Sequence, residues 1–97
     1  MCGILGFAPS LDHRTLLNEL EASSERLALR GPDAKGLWLS DDLGLAHRRL
    51  SIIDTSTSAN QPMWDIHSRY GLVFNGEIYN YKELRAGLTL RGCVFQT

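Results

Sequence analysis

The chain opens with Met-Cys-Gly-Ile-Leu-Gly-Phe-Ala (residues 1–8), and this stretch decides the fold that we expect. Its almost unbroken apolar character is typical of a short strand buried in a sheet. Pro9 and Ser10 follow directly and predict the end of that strand. The run has no basic segment before it and is too short to be the apolar part of a signal peptide. The sequence therefore predicts a buried first strand with Cys2 at its start.

The next part of the chain predicts one helix and two strands. Leucines recur at helical spacing over residues 12–29, and Ser10 or Asp12 could cap that helix. Arg-Gly-Pro-Asp (residues 30–33) stops the helix, because a proline disfavours helical backbone at the residue before it. The patterns that follow predict two strands and the turn between them, over residues 36–40, 41–42 and 43–53.

The second half predicts a long loop before its regular elements. Gly76 after Asn75 indicates a tight turn, and Gly92 is placed to end a helix. The predicted elements are a polar loop over residues 54–66, a strand over 70–74, a helix over 81–90 and a further strand that begins over 93–97.

Composition limits the classes of function. The 97 residues can form one small domain, and 43% hydrophobic with 22% charged residues is ordinary for a soluble globular protein. The formal net charge of −1 leaves no electrostatic footprint for nucleic acid or an anionic membrane. No apolar run is long enough to span a bilayer. We therefore expect a cytoplasmic protein with neither nucleic-acid nor membrane partners.

The two cysteines, Cys2 and Cys93, are too few for a secreted disulfide framework. A redox role for this pair stays an alternative, although neither cysteine lies in a Cys-x-x-Cys context. Zinc would need ligand pairs at close spacing, and the sequence has none, so we expect no metal site.

Cys2 is the strongest candidate for a reactive residue because it directly follows Met1. Methionine aminopeptidase generally removes Met1 when the second residue is small, which would leave a thiol and a free α-amine on one residue. An α-amine titrates close to neutral pH, so it can act as the base that activates the thiol. The alternative is that Cys2 is a small buried hydrophobic residue, as most free cysteines are.

Five motifs, which follow one another along the chain, favour the catalytic interpretation of Cys2 over the structural one. Together they resemble the glutaminase domain of asparagine synthetases, a class II glutamine amidotransferase of the N-terminal-nucleophile hydrolase superfamily. The motifs are Met-Cys-Gly-Ile-Leu-Gly-Phe (1–7), Arg-Gly-Pro-Asp (30–33), Leu-Ala-His-Arg-Arg-Leu-Ser-Ile-Ile-Asp (45–54), Gln-Pro-Met (61–63) and Asn-Gly-Glu-Ile-Tyr-Asn (75–80).

The resemblance implies a catalytic role for three residues. Cys2 would attack the carboxamide of glutamine, release ammonia and form a glutamyl thioester that water hydrolyses. The side-chain amide of Asn75 and the backbone N–H of Gly76 would form the oxyanion hole, where fixed donors stabilise the developing charge.

The resemblance also implies a substrate-binding role for three residues. Arg49 would hold the glutamine α-carboxylate in a planar, bidentate grip. Glu77 would face the α-ammonium group, and backbone groups near Ile53 would line the pocket.

Each of these residues also has a purely structural interpretation. An Asn-Gly pair is a common hairpin turn. Arg49 and Glu77 could be solvated or ion-paired surface residues. We expect Arg30 and Asp33 to form an ion pair that shapes the loop near Cys2, and His47 to pack or bond within its strand.

The fold implied by the resemblance is α+β: the N-terminal half of an αββα four-layer sandwich of mostly antiparallel strands. Residues 2–97 would be a partial glutaminase domain that ends before its C-terminal side, and alone it would be inactive. The complete family protein uses ATP and Mg in a C-terminal synthetase domain that amidates aspartate; this stretch itself would need no cofactor.

Two alternatives to asparagine synthesis remain open. One is a non-catalytic domain fragment that associates with itself as a homo-oligomer. The other is an amidotransferase whose acceptor belongs to secondary metabolism or polysaccharide synthesis.

Overall fold

The computed structural model describes residues 1–8 and 12–97 and contains five strands, two α-helices and a short 3₁₀ turn at Thr57–Ala59. The strands are β1 (Gly3–Phe7), β2 (Ala34–Leu39), β3 (Gly44–Arg49), β4 (Met63–Trp64) and β5 (Gly71–Leu72), and the helices are α1 (His13–Glu25) and α2 (Tyr81–Leu90). No described helix is long and apolar enough to cross a membrane.

The main sheet is antiparallel, and β3 is its central strand in the order β1-β3-β2. His47 in β3 is opposite Ile4 of β1 on one side and Gly36 of β2 on the other. Ser40 N–H donates to the Leu43 carbonyl oxygen over 2.8 Å, which closes the predicted turn at residues 41–42. The first strand and the hairpin predicted from the sequence are present, but β1 is only partly buried, with Ile4 46% exposed, and β3 ends at Arg49 rather than at residue 53.

Helix α1 covers one face of this sheet with residues spaced one turn apart. Leu16, Leu20 and Ser24 are fully buried. Burying each leucine contributes about 1.5–3 kcal/mol before entropy is counted. Asp12 caps the helix, since its carboxylate accepts from the Thr15 N–H at 3.1 Å and from the Thr15 hydroxyl. Ser10, the other predicted cap, lies outside the described residues.

The predicted continuation of α1 to residue 29 is wrong, because the helix ends at Glu25. Leu27 N–H bonds to the Ser24 carbonyl oxygen at 3.0 Å, a tighter turn than the α-helical pattern. The same carbonyl also accepts from Arg48 Nε at 3.2 Å. A side chain from β3 therefore binds the carbonyl where the helix ends.

The second half of the chain is more irregular than the sequence predicts. Of the strand predicted over residues 70–74, only β5 is present. It pairs with β4, which lies within the loop predicted over residues 54–66. Trp64 of β4 packs against Trp38 of β2 with ring centroids 5.0 Å apart, so the small hairpin contacts the main sheet.

Helix α2 has the predicted bounds, and Gly92 ends it with φ of +87°. Gly92 N–H donates to Thr89 and Cys93 N–H to Leu88, the paired bonds of a Schellman motif, which needs a left-handed residue. The strand predicted to begin over residues 93–97 is wrong: this segment has no regular structure and pairs with no described strand.

The architecture is α+β, as predicted from the sequence. One helix lies on one face of an antiparallel sheet, and the other face of β3 opens towards the loops of the second half. This arrangement is consistent with the N-terminal half of an αββα sandwich.

Candidate active site

A cavity of about 520 Å³ lies on the face of β3 opposite α1. Arg48 points to α1, whereas His47 and Arg49 line the cavity, as the two-residue period of a strand requires. The cavity brings together all six residues that the sequence places in a site: Cys2, Arg49, Ile53, Asn75, Gly76 and Glu77.

Cys2 lies at the start of β1, beside the end of β3. Leu50 N–H donates to its Sγ at 3.3 Å, and the sulfur lies 3.7 Å from the Leu50 carbonyl oxygen. This hydrogen bond fixes the sulfur beside the end of β3. Met1 is 72% exposed, so its removal would leave no cavity in the core.

Asp33 holds the chain segment next to this contact. Its carboxylate accepts from Ser51 N–H at 2.7 Å, and its own N–H donates to the Arg49 carbonyl oxygen at 3.0 Å. The predicted ion pair between Arg30 and Asp33 is wrong, since no salt bridge joins them. Asp33 shapes the loop near Cys2 through backbone N–H groups instead.

Asn75 and Gly76 line the cavity immediately after Phe74. They do not close a β-hairpin, because residues 77–79 form no strand. Gly76 has no positive φ. A Cβ on Gly76 would lie 2.5 Å from Phe74 Cζ, so any larger residue here would have to displace the Phe74 ring.

Arg49 is 7% exposed, and its guanidinium binds three acceptors in the loop that follows β3. Nη1 donates to the Ser56 carbonyl oxygen at 2.6 Å and to Asn60 Oδ1 at 2.8 Å, and Nη2 donates to the Asp54 carbonyl oxygen. A guanidinium has five N–H groups. Two therefore remain without an acceptor among the described residues, enough for one carboxylate.

The charges that line the cavity have both signs. Arg49 supplies the positive charge, and Asp54 and Glu77 supply two negative charges. Hydrogen bonds from Ser56, together with the charge of Arg49, lower the pKa of Asp54, so this carboxylate stays ionised. Glu77 and Ile53 are exposed along the cavity. Such a cavity suits a zwitterion, with its carboxylate near Arg49 and its ammonium near a carboxylate.

His47 is a cavity residue that the sequence analysis did not assign to the site. It is 1% exposed, and its Nε2 lies 3.2 Å from the Phe74 carbonyl oxygen. Burial lowers the pKa of His47, with a further contribution from the charge of Arg49. The neutral ring therefore donates from Nε2 to Phe74 in another segment. Of the two predicted alternatives for His47, packing is confirmed and a hydrogen bond within its own strand is not. Its position two residues from Arg49, on one face of a strand, was the available signal.

Among residues 1–8 and 12–97, no cluster of three histidine, cysteine or acidic side chains could hold a metal ion. The chemistry that the cavity offers is that of a thiol, an amide, backbone N–H groups and fixed charges.

Comparison with known proteins shows the family of the chain. The family model described as "Glutamine amidotransferase domain" matches residues 1–97. The chain is 45% identical over 100 residues to "Amidase chry2" of Gibberella zeae, an alignment that covers 91% of the chain and 15% of that protein.

Two synthetases show similar identity. "Asparagine synthetase [glutamine-hydrolyzing] 1" of Bacillus subtilis is 37% identical over 103 residues, covering 100% of the chain and 16% of the relative. "Asparagine synthetase [glutamine-hydrolyzing]" of Zea mays is 46% identical over 92 residues, covering 91% of the chain and 15% of the relative. The chain spans only about 15% of the length of such relatives. Because the family model matches the whole chain, the chain belongs to the glutamine amidotransferase domain family.

Proposed function

We propose that this chain is the glutaminase part of an asparagine-synthetase-type amidotransferase, with Cys2 as its nucleophile. The observation that carries the proposal is the single cavity that Cys2 shares with Asn75, Gly76 and Arg49. After removal of Met1, the Cys2 α-amine takes the thiol proton and the sulfur attacks the carboxamide carbon of glutamine. The C–N bond then breaks, and the amine returns the proton to the leaving ammonia.

Asn75 and Gly76 act on the oxygen of the tetrahedral intermediate. The amide of Asn75 and the N–H of Gly76 donate to the oxyanion, where each donor contributes about 10²–10³ in kcat. Collapse of the intermediate gives a glutamyl thioester on Cys2. Water hydrolyses this thioester to glutamate and restores the thiol, which balances the reaction.

Arg49, Glu77 and Ile53 position the substrate. The two free N–H groups of Arg49 donate to the α-carboxylate of glutamine, and Glu77 faces its α-ammonium group. The backbone near Ile53 closes the side of the pocket. This assignment of the two charged groups of glutamine follows from the positive and negative side chains that line the cavity.

The ammonia acceptor belongs to the larger protein. We propose that ammonia passes to a C-terminal synthetase domain that uses ATP and Mg to amidate aspartate; two relatives of similar identity are named asparagine synthetases. A different acceptor is the second candidate, because another relative of similar identity carries the name "Amidase chry2". Assays of the full-length protein with and without aspartate separate these two acceptors.

Reaction with diazo-oxo-norleucine, a reactive mimic of glutamine, tests the glutaminase proposal. The intact mass of the purified protein is measured before and after incubation, with C2A and C93A as matched variants. We expect the full-length protein without Met1 to gain one adduct, its C93A variant to gain the same adduct, and its C2A variant to gain none. An adduct on C2A, or a full-length, Met1-processed protein that stays unmodified, would contradict the proposal.

A further inference from the structure

Phe74, the residue directly before Asn75, has both of its backbone polar groups bound by side chains. Its N–H donates to Gln61 Oε1 at 2.5 Å, and its carbonyl oxygen accepts from His47 Nε2 at 3.2 Å. Strand β5 has already ended at Leu72, so no strand ladder binds these two groups. The side chains of Gln61 and His47 therefore bind the two backbone groups that a neighbouring strand would bind within a sheet.

Both side chains come from well-fixed positions. His47 is fully buried in the central strand and is flanked by paired residues of β1 and β2. The Gln61 carbonyl oxygen lies so close to Gly36 of β2 that a Cβ there would overlap it. Residues from the main sheet and from the loop against it therefore hold Phe74 in place.

The chain segment that carries His47 also contacts the proposed nucleophile, Cys2. His47 is opposite Ile4 of β1, two residues after Cys2, and Leu50 of the same chain segment contacts the Cys2 sulfur. The segment with the oxyanion donors and the strand with the thiol are thus tied to one element, β3.

We propose that His47 and Gln61 are positioning residues that hold the Phe74 backbone and so fix Asn75 and Gly76 relative to Cys2. The inference rests on the proposed glutaminase function. Oxyanion donors stabilise charge only when they are already fixed where the oxygen will be, and a displacement of ~1 Å can cost 10²-fold in rate. Neither residue touches the reacting atoms in this role.

Four variants of the full-length protein separate positioning from mere folding. H47L and Q61L remove the bonds to Phe74, whereas H47Q keeps a donor and Q61E keeps an acceptor. For H47L and Q61L we expect kcat for glutamine hydrolysis to fall about 10–100-fold with KM changed by less than about threefold, because positioning acts on the transition state. H47Q and Q61E should recover most of kcat. H67L and Q96L, at exposed positions, are the matched controls and should keep wild-type rates.

Two probes of Cys2 give the decisive readout. An aldehyde analogue of glutamine forms a tetrahedral adduct with the thiol and needs the oxyanion hole, whereas alkylation by iodoacetamide forms no oxyanion. H47L and Q61L should bind the aldehyde about tenfold or more weakly while iodoacetamide reacts at the wild-type rate. Since both residues act through Phe74, the double variant should lose little more than either single one.

The possible failures can be told apart. Wild-type protein that neither hydrolyses glutamine nor binds the aldehyde overturns the proposed function, and this inference with it. An active wild type whose H47L and Q61L variants bind the aldehyde normally overturns the inference alone. Equal losses in aldehyde binding and in iodoacetamide alkylation, with lowered melting temperatures, also overturn it, because they indicate a general disruption of the fold.

Discussion

The backbone N–H of Leu50 lies 3.3 Å from the sulfur of Cys2, so the residue that follows β3 donates a hydrogen bond to the proposed nucleophile. The donor is held in place because the flanking groups, the Arg49 carbonyl and the Ser51 N–H, are both bound by Asp33. Asp33, in the segment between α1 and β2, thereby fixes the backbone group that contacts Cys2 at the other edge of the sheet.

Replacement of Asp33 by alanine should therefore slow the reactions of Cys2. Ser51 N–H would lose its acceptor, and Leu50 N–H would no longer be fixed towards the sulfur, so the thiol would be held less well in place. We expect iodoacetamide alkylation of Cys2 at neutral pH to slow about three- to tenfold in D33A. D33N keeps an oxygen acceptor and should stay near wild type; equal rates for D33A and wild type would contradict this account.

Arg49→Lys should weaken both substrate binding and the loop after β3. A lysine cannot satisfy the acceptors at Asp54, Ser56 and Asn60 and still bind a carboxylate with two parallel bonds. We expect KM for glutamine to rise about 10-fold or more and the free energy of unfolding to fall by about 1–3 kcal/mol. The measurements are steady-state kinetics and urea denaturation.

Arg69→Lys is the control for that substitution. Arg69 is exposed and pairs with Asp65 at 3.3 Å, an interaction of the kind that contributes about 0–1 kcal/mol. If R69K and R49K changed KM and stability equally, a special role of Arg49 would be ruled out.

Gly76→Ala should abolish most glutaminase activity. The new methyl group would lie 2.5 Å from Phe74 Cζ, so either the ring or the backbone of the oxyanion segment must move. We expect kcat to fall about 10²-fold or more, as for loss of an oxyanion donor. Steady-state hydrolysis assays on the full-length protein would measure the loss.

Gly87→Ala is the matched glycine control. Gly87 lies inside α2, and a Cβ there would meet nothing within 4 Å. The variant should keep full activity and gain about 0.5–1 kcal/mol of stability from the higher helix propensity of alanine. Normal activity in G76A would show that the contact with Phe74 is not needed for the site.

The sequence predicted best where the determining signals are local. Helix α2 has the predicted bounds because its end is set by Gly92, a neighbour in the chain. The end of α1 was wrong because Arg48, far away in sequence, binds the Ser24 carbonyl oxygen. The strand over residues 70–74 was too long for the same kind of reason, since side chains bind the Phe74 backbone.

The same contrast between local signals and long-range contacts applies to the candidate site. Cys2, Arg49 and Asn75 could be chosen from motifs in the chain, but their shared cavity depends on how β3 pairs and on how the later loop returns to the sheet. The strand period could place His47 on the same face as Arg49, but the contacts of His47 and Gln61 with Phe74 could not be predicted from sequence, because their partner is a main-chain group and leaves no mark on residue type.

Stability should fall in mildly acidic solution because of His47. Burial holds its pKa below the ordinary histidine value, and the nearby Arg49 lowers it further. The unfolded chain has a pKa near 6.5 at this position, so below that pH the unfolded state binds a proton that the folded state does not. Stability is therefore complete above about pH 6.5 and is lost as the pH falls towards the folded-state pKa, by at most about 1.4 kcal/mol for each pH unit.

H47Q cannot titrate, so its stability should change less than that of wild type over this range. Urea denaturation of both proteins between about pH 7.5 and pH 5 measures the difference directly. The carboxylates with lowered pKa act at more acidic pH and are shared by both proteins: Asp12, Glu25, Asp54 and Asp65. Parallel stability curves for the two proteins would mean that His47 takes up a proton in the folded state as easily as in the unfolded chain. A wild-type curve that drops more steeply than that of H47Q is the outcome that the burial of His47 requires, since burial lowers its pKa more than the hydrogen bond to Phe74 raises it.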